Sequence, residues 1–148
     1  MNEAYKGEAI GWDDPVEKGQ DYILLPEGEY DFVIESFERS WFDGSEKAPA
    51  CPKAELKLKV ETPEGICILN ESLLLYNKMQ WKIAEFFISI GFEPDANNIV
   101  HPNWSMVARA AGRAAVEIRP DRNEPTKKYN HVKKFLPKQK KEYKAGSF

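Results

Sequence analysis

Arg39, Trp41 and Phe42 place one cation and two large aromatic rings at the end of an alternating segment, just before a loop that begins with Asp43 and Gly44. Proteins that bind single-stranded nucleic acids use cationic side chains along the phosphates and aromatic rings on which bases stack. The spacing therefore predicts that a base stacks on Trp41 or Phe42. The alternative is that both rings close the bottom of the domain or pack on the N-terminal segment, because such loops also cap cores.

Lysines and a tyrosine recur near the end of the sequence, in the stretch KKYNHVKKFLP. Alternation puts Tyr129, Lys133 and Phe135 on one side of a predicted strand. Val132 and Leu136 lie on the other side, which we assign to the core. The lysines of the outward side are expected to contact phosphates, and Tyr129 to stack on a base. The competing interpretation is a solvated edge strand whose lysines prevent aggregation.

Further cations lie on two other predicted strands. Lys57 and Lys59 project from one face of the second strand, and strands 2 and 3 commonly form the ligand surface of small oligonucleotide-binding barrels. Three arginines on or after the fourth strand extend the same basic surface. The candidate nucleic-acid-binding residues are Arg39, Trp41, Phe42, Lys57, Lys59, Arg113, Arg119, Arg122, Lys127, Lys128, Tyr129 and Lys133.

Enzymatic chemistry has one candidate in this sequence. Asp43 is followed along the chain by Glu55 and Lys57 in an E-x-K arrangement. This is the order of residues with which nucleases hold a divalent metal ion and orient water. E-x-K arises readily in any strand in which charged residues occupy alternate positions. No phosphate-cradling glycine loop or nucleophile elbow accompanies it. The two cysteines lack metal-binding spacing. We therefore predict no enzyme, no metal and no cofactor, and keep a magnesium-dependent nuclease as an alternative.

Charge is segregated along the chain although the net charge is only −3. Residues 1–46 carry 13 acidic and 3 basic residues, whereas residues 109–148 carry 4 acidic and 12 basic residues. Such asymmetry indicates a polyanionic partner for the basic part. The acidic part allows a different function, a protein-binding module that acts through residues 1–46. Two solvated faces without any partner are the remaining interpretation.

Alternating apolar and polar residues predict five strands, and one helical repeat predicts a helix. The strands are expected at 30–42, 54–62, 66–75, 113–120 and 127–137, and the helix at 77–91. This order predicts a mainly β fold, a five-stranded OB-like (oligonucleotide/oligosaccharide-binding) Greek-key barrel with one helix between strands 3 and 4. An open sheet or an SH3-like barrel also has five strands, and the helix position favours the OB-like barrel.

The domain organisation follows from composition. We expect an acidic N-terminal arm at 1–25, the OB-like domain at 26–137 and a basic C-terminal tail at 138–148. No apolar run reaches the roughly 20 residues of a membrane span, and the first residues lack a basic and an apolar signal region. Two irregularly spaced cysteines do not predict a disulfide framework, so a cytoplasmic protein without a membrane partner is expected.

The order and spacing of several short stretches resemble a known family. PEGEYDFVIESFE, ELKLKV, FFISIGF, AGRAAVEIRP and YNHVKKFLP together are similar to small phage-encoded single-stranded-DNA-binding proteins of replication and recombination modules. The resemblance covers about residues 26–137. It implies an OB-type fold, sequence-tolerant binding of single-stranded DNA, no enzymatic activity, and replication or recombination proteins as further partners.

The sequence also departs from that family. Ala111, Gly112 and Arg113 stand where the family tends to have leucine, glycine and lysine, and the C-terminal end is basic. Bacterial single-strand-binding proteins commonly end in an acidic segment that recruits partners. Because the tail of this chain is basic, the resemblance does not imply that it recruits partner proteins. If the protein is phage-encoded, the protein-binding alternative becomes an inhibitor of a host factor whose acidic segment mimics DNA.

Overall fold

A computed structural model describes residues 7–16 and 22–137 of the chain. The mainly β prediction is confirmed, with five strands, one α-helix and two short 3₁₀ turns. The elements are β1 (Gly28–Phe42), β2 (Cys51–Thr62), β3 (Gly65–Leu74), a 3₁₀ turn (Asn77–Met79), α1 (Gln80–Ser89), a second 3₁₀ turn (Trp104–Met106), β4 (Ala111–Pro120) and β5 (Lys128–Leu136). Among the described residues, no helix is long and apolar enough to cross a membrane.

All five strands form one antiparallel sheet in the order β3-β2-β1-β4-β5. The long strand β1 is central, because its second half pairs with β2 and its first half pairs with β4. β3 and β5 are the two outer strands. They contact each other through side chains, but within the described part of the chain no backbone ladder joins them into a closed barrel.

The predicted position of the helix needs a correction. Along the chain α1 follows β3 and precedes β4, but in the sheet these two strands are separated by β2 and β1. The helix instead packs mainly on β5 and also on β4. Phe86 contributes to this packing, because its ring is fully buried in the core and meets that of Phe135 at 5.2 Å.

The predicted alternation of buried and exposed side chains is confirmed on β2 and is interrupted on β5. Leu56, Leu58 and Val60 are buried, and the lysines between them face outward. On β5 a β-bulge inserts Lys133, because Ala115 pairs with Lys134 and Val116 pairs with Val132. The prediction that Phe135 faces outward is therefore wrong, since the side chains after the bulge change sides and Phe135 is fully buried.

A short segment before β1 fills the space between β3 and β5. The Ile23 amide donates to the Ile66 carbonyl at 2.9 Å, and Tyr22 forms an isolated parallel bridge with Ile66. On the other side, the Asn130 side chain accepts from the Leu25 amide at 2.7 Å and donates to the Leu25 carbonyl at 3.0 Å. Residues 22–25, which the sequence assigned to the N-terminal arm, thus belong to the packed domain.

Candidate nucleic-acid interface

The outer face of β2 and β3 carries the first pair of predicted lysines. Lys57 pairs in register with Ser36 and Asn70 and makes no ion pair with a described residue, whereas the Lys59 ammonium lies 3.7 Å from a Glu61 carboxylate oxygen. Lys57 also lines a shallow depression whose other walls include Glu38 and Glu55. Because acids share this face with the two lysines, it offers a polyanion only one free cation among the described residues.

The predicted aromatic group at the end of β1 is divided between two faces. Trp41 pairs with Pro52, so it shares a face with the buried side of β2 and points away from the face of Lys57. Trp41 is 56% exposed. Phe42 pairs with Cys51, lies on the Lys57 face and is half-buried. The structure therefore does not bring Trp41 together with the lysines of β2.

Arg39 lies on the same face as Trp41 and contacts an aromatic ring. Its guanidinium carbon lies 5.5 Å from the centre of the Phe37 ring, within the range of a cation–π contact. The Phe37 ring in turn stacks on Trp104, with centroids 5.4 Å apart and an interplanar angle of 19°. Arg39 therefore covers an aromatic stack at the end of the core, and its charge stays at the surface.

The two arginines of β4 are neutralised by acids. The Arg113 guanidinium donates to the Asp31 carboxylate at 2.8 Å and lies 3.6 Å from the Glu29 carboxylate. Arg119 lies 2.7 Å from a Glu117 carboxylate oxygen. A phosphate would have to compete with these carboxylates for both guanidinium groups, so neither arginine presents a free charge.

The loop between β4 and β5 holds two further candidates. The Asp121 carboxylate accepts from the Asn123 and Glu124 amides at 2.8 and 3.1 Å, and this turn fixes the loop. Lys127 lies 2.9 Å from the Glu124 carboxylate. Arg122 is exposed at the tip and forms no ion pair within the described ranges. Of this pair, Arg122 is the one available to a phosphate.

The β5 surface, defined here as Lys128, Tyr129, Lys133 and Lys134, is the least neutralised basic part of the domain. All four side chains are exposed, and none of the three lysines forms an ion pair with a described residue. Sequence reasoning missed Lys134, because plain alternation places it on the same side as the buried Val132. The bulge at Lys133 turns it outward, and no residue type in this stretch signals a bulge.

A chain of ionisable side chains lies next to the β5 surface. Glu71 on β3 is 5% exposed, and one of its carboxylate oxygens lies 2.6 Å from the Lys82 ammonium on α1. His131 stands between two carboxylates, 3.8 Å from Glu71 and 3.3 Å from Glu117. These contacts connect α1, β3, β4 and β5 through side chains.

A groove lies between the outer strands, beside the segment 22–25. It is open to solvent, has a volume of about 490 Å³ and is lined by Tyr22, Ile23, Leu24, Ile66, Cys67, Ile68, Lys128, Tyr129 and Asn130. Burial raises the pKa of the Cys67 thiol, so this side chain stays protonated at neutral pH and is a poor nucleophile and a poor metal ligand. Tyr22 was not identified from the sequence, because its segment lacks alternation.

Of the residues of the nuclease alternative, Glu55 has another partner and Asp43 lies apart from it. Glu55 lies 3.1 Å from the Lys53 ammonium and pairs in register with Glu38, and Asp43 is exposed in the loop after β1. No group of three or more histidine, cysteine or acidic side chains comes together among the described residues in a way that could hold a metal ion.

No model of a known protein family matches this chain, and no curated protein matches it either. The resemblance to phage single-stranded-DNA-binding proteins thus stays a prediction from the sequence.

Proposed function

We propose that this protein binds single-stranded DNA with little sequence preference, in phage DNA replication or recombination, and that its sheet is an OB-like Greek-key barrel. The strand order supports the fold, because β4 returns over a long connection to lie beside β1, as in a Greek key. Side-chain contacts between β3 and β5 support the closing of the barrel. OB-like barrels bind oligonucleotides without an enzymatic step.

The β5 surface carries the proposal. Along one strand it combines three lysines without a described carboxylate partner and the exposed ring of Tyr129, which lies on the other face of β5 from Lys128. Phosphate-tracking cations next to a stacking platform are what sequence-tolerant binding of single strands requires. Arg122 extends the same surface into the β4–β5 loop.

Single strands fit this surface better than duplex does. A duplex is read by a helix or a ribbon that enters a groove, and α1 is held in the core by Phe86 and Phe87. Stacking on Tyr129 needs a base that is free of its partner strand. Both features favour unpaired DNA.

Binding of a fluorescent oligonucleotide and of the matching duplex, each at two salt concentrations, tests the proposal. We expect tighter binding of the single strand. If about five phosphates are neutralised, log K falls against log salt with a slope of roughly −3 to −4, at about 0.7 per phosphate. Equal or tighter binding of the duplex, or no binding of the single strand at low salt, contradicts the proposal.

A protein-binding module is the second candidate, favoured by one observation. In the described segment 7–16, Ile10, Trp12 and Val16 are largely exposed, and Trp12 is fully so. The Asp14 amide donates to the Gly11 carbonyl at 3.2 Å, and the Gly11 amide donates to the Asp14 carboxylate, so Trp12 lies in a formed turn. If this candidate is right, Trp12→Ala abolishes partner binding, while glutamine at Lys128, Lys133 and Lys134 leaves it unchanged.

A further inference from the structure

Two tyrosines line the groove between β3 and β5 from its two sides. The backbone of Tyr22 is fixed on the β3 side by its bridge with Ile66, and that of Tyr129 is fixed on β5 by pairing with Arg119. Both side chains are open to solvent, with 76% of Tyr22 and 44% of Tyr129 exposed. Two aromatic side chains on paired backbone thus line the same groove.

The rest of the groove suits a flat aromatic ligand that carries a phosphate. Ile66 and Ile68 contribute half-buried apolar surface, and Lys128 contributes a cation without a described ion-pair partner. A nucleobase has two π-faces and an adjacent phosphate, so it can contact the rings and the lysine at once. A peptide strand fits less well, because the Ile66 carbonyl on the β3 edge already accepts from Ile23.

We infer that this groove holds one base of the bound single strand between the rings of Tyr22 and Tyr129, with Lys128 on a neighbouring phosphate. The inference rests on the proposed function and adds to it a specific base site. It also gives the segment 22–25 a second role besides filling the space between the outer strands, because this segment supplies one wall of the site.

Alanine and phenylalanine variants at both positions test the site with a thymidine oligonucleotide. Tyr22→Ala and Tyr129→Ala should each weaken binding about 5- to 150-fold, the range expected for one base–aromatic contact. Tyr22→Phe and Tyr129→Phe keep the π-face and should bind within about 2-fold of the wild type, which makes them the matched controls. Because both side chains are exposed, all four variants should melt like the wild type.

The double variant decides whether both rings hold the same base. If they do, the double alanine variant loses clearly less affinity than the product of the two single losses, since the second ring acts on a base already released. Multiplicative losses mean two separate bases and overturn the single site. A photo-crosslinking oligonucleotide containing 5-iododeoxyuridine should give adducts at Tyr22 or Tyr129, and this result does not depend on the folding of any variant.

Failure of the site and failure of the function give different results. If the wild type binds the oligonucleotide but both alanine variants bind equally well and the crosslinks map elsewhere, only the groove assignment is wrong. If the wild type does not bind the oligonucleotide at low salt, the proposed function is wrong and the groove assignment falls with it.

Discussion

At Gly112, β4 lies close to β1 and to the end of α1. A Cβ atom at this position would lie 2.6 Å from the Phe32 ring and 2.8 Å from the Ser89 carbonyl oxygen. We expect Gly112→Ala to destabilise the protein by about 1–3 kcal/mol, because overpacking forces the backbone or a buried ring to move. Urea denaturation measures the loss.

The control for this variant is Gly28→Ala at the start of β1. A Cβ atom there meets nothing closer than 3.7 Å, so the free energy of unfolding should stay within about 0.5 kcal/mol of the wild type. Equal stability of the two variants would show that the space around Gly112 is larger than the structure indicates.

Asp95 gives the loop after α1 a pH dependence. Its hydrogen bond with His101, at 2.7 Å, and those from the Ile99 and Asn97 amides hold the pKa of this carboxyl below its ordinary value of 3.8. The folded state thus favours the carboxylate form of Asp95. The contribution of this carboxylate to the stability of the folded protein is complete above about pH 4 and is lost as the pH falls through the lowered pKa. Asp95→Asn should lower the urea midpoint at pH 7 and change it less at pH 3.

The exposed Asp43, which has no hydrogen bond or ion pair with a described residue, is the matched control for the loss of charge. Asp43→Asn should leave the urea midpoint almost unchanged at both pH values. If Asp95→Asn behaves in the same way, the contacts of Asp95 do not stabilise the loop.

At the scale of elements, Asn130 attaches the segment 22–25 to β5. Asn130→Ala removes the partner of both the Leu25 amide and the Leu25 carbonyl, so we expect a loss of about 1–3 kcal/mol in unfolding free energy. Asn70→Ala on the outer face of β3 should cost less than about 0.5 kcal/mol. Hydrogen exchange should also become faster at the Ile23 and Leu25 amides, and unchanged exchange there would contradict this role.

The approximate bounds of the strands were predictable, whereas the bulges in their pairing were not. Val60 and the turn at Pro63 and Glu64 define the β2–β3 hairpin locally, because alternation and turn residues act over a few positions. The bulges at Glu35 and Lys133 depend on the curvature of the whole sheet, which no single residue type encodes. The prediction for Phe135 failed for this reason.

The candidate site was predictable only in part. Lys128 and Tyr129 share one stretch of sequence, and their exposure follows from their place on an outer strand. The neutralisation of Arg113 by Asp31 joins residues 82 positions apart, and the approach of Tyr22 to Tyr129 depends on the spacing of β3 and β5. Both relations arise from tertiary pairing, which local periodicity does not specify.

For the whole molecule, the basic C-terminal tail predicted at 138–148 lies outside the described residues. The five strands end by Leu136, so we expect deletion of 138–148 to leave the melting temperature almost unchanged. Removal of its four lysines should weaken binding of single-stranded DNA and make the salt slope shallower, by about 0.7 for each phosphate that is no longer neutralised.

Glutamine at Lys138, Lys140, Lys141 and Lys144 in the full-length chain separates charge from length, and it should reproduce the effect of the deletion. Unfolding of the truncated protein would give the tail a structural role. Unchanged affinity and an unchanged salt slope would show that the tail does not contribute to DNA binding.

The central place of β1 has a consequence during synthesis on the ribosome. The residues of its second half lie 9 to 26 positions before their partners on β2, whereas Gly28 pairs with Val116, which is synthesised 88 residues later. At about 5–20 residues per second this delay lasts roughly 4 to 18 s, during which one edge of β1 stays open to other chains. Glu29 and Asp31 lie on that edge, and like charges discourage pairing between two nascent chains. Once β4 has been synthesised, the same two acids form ion pairs with Arg113. They therefore first discourage pairing of the unfinished β1 with other chains and then help to fix β4 in place.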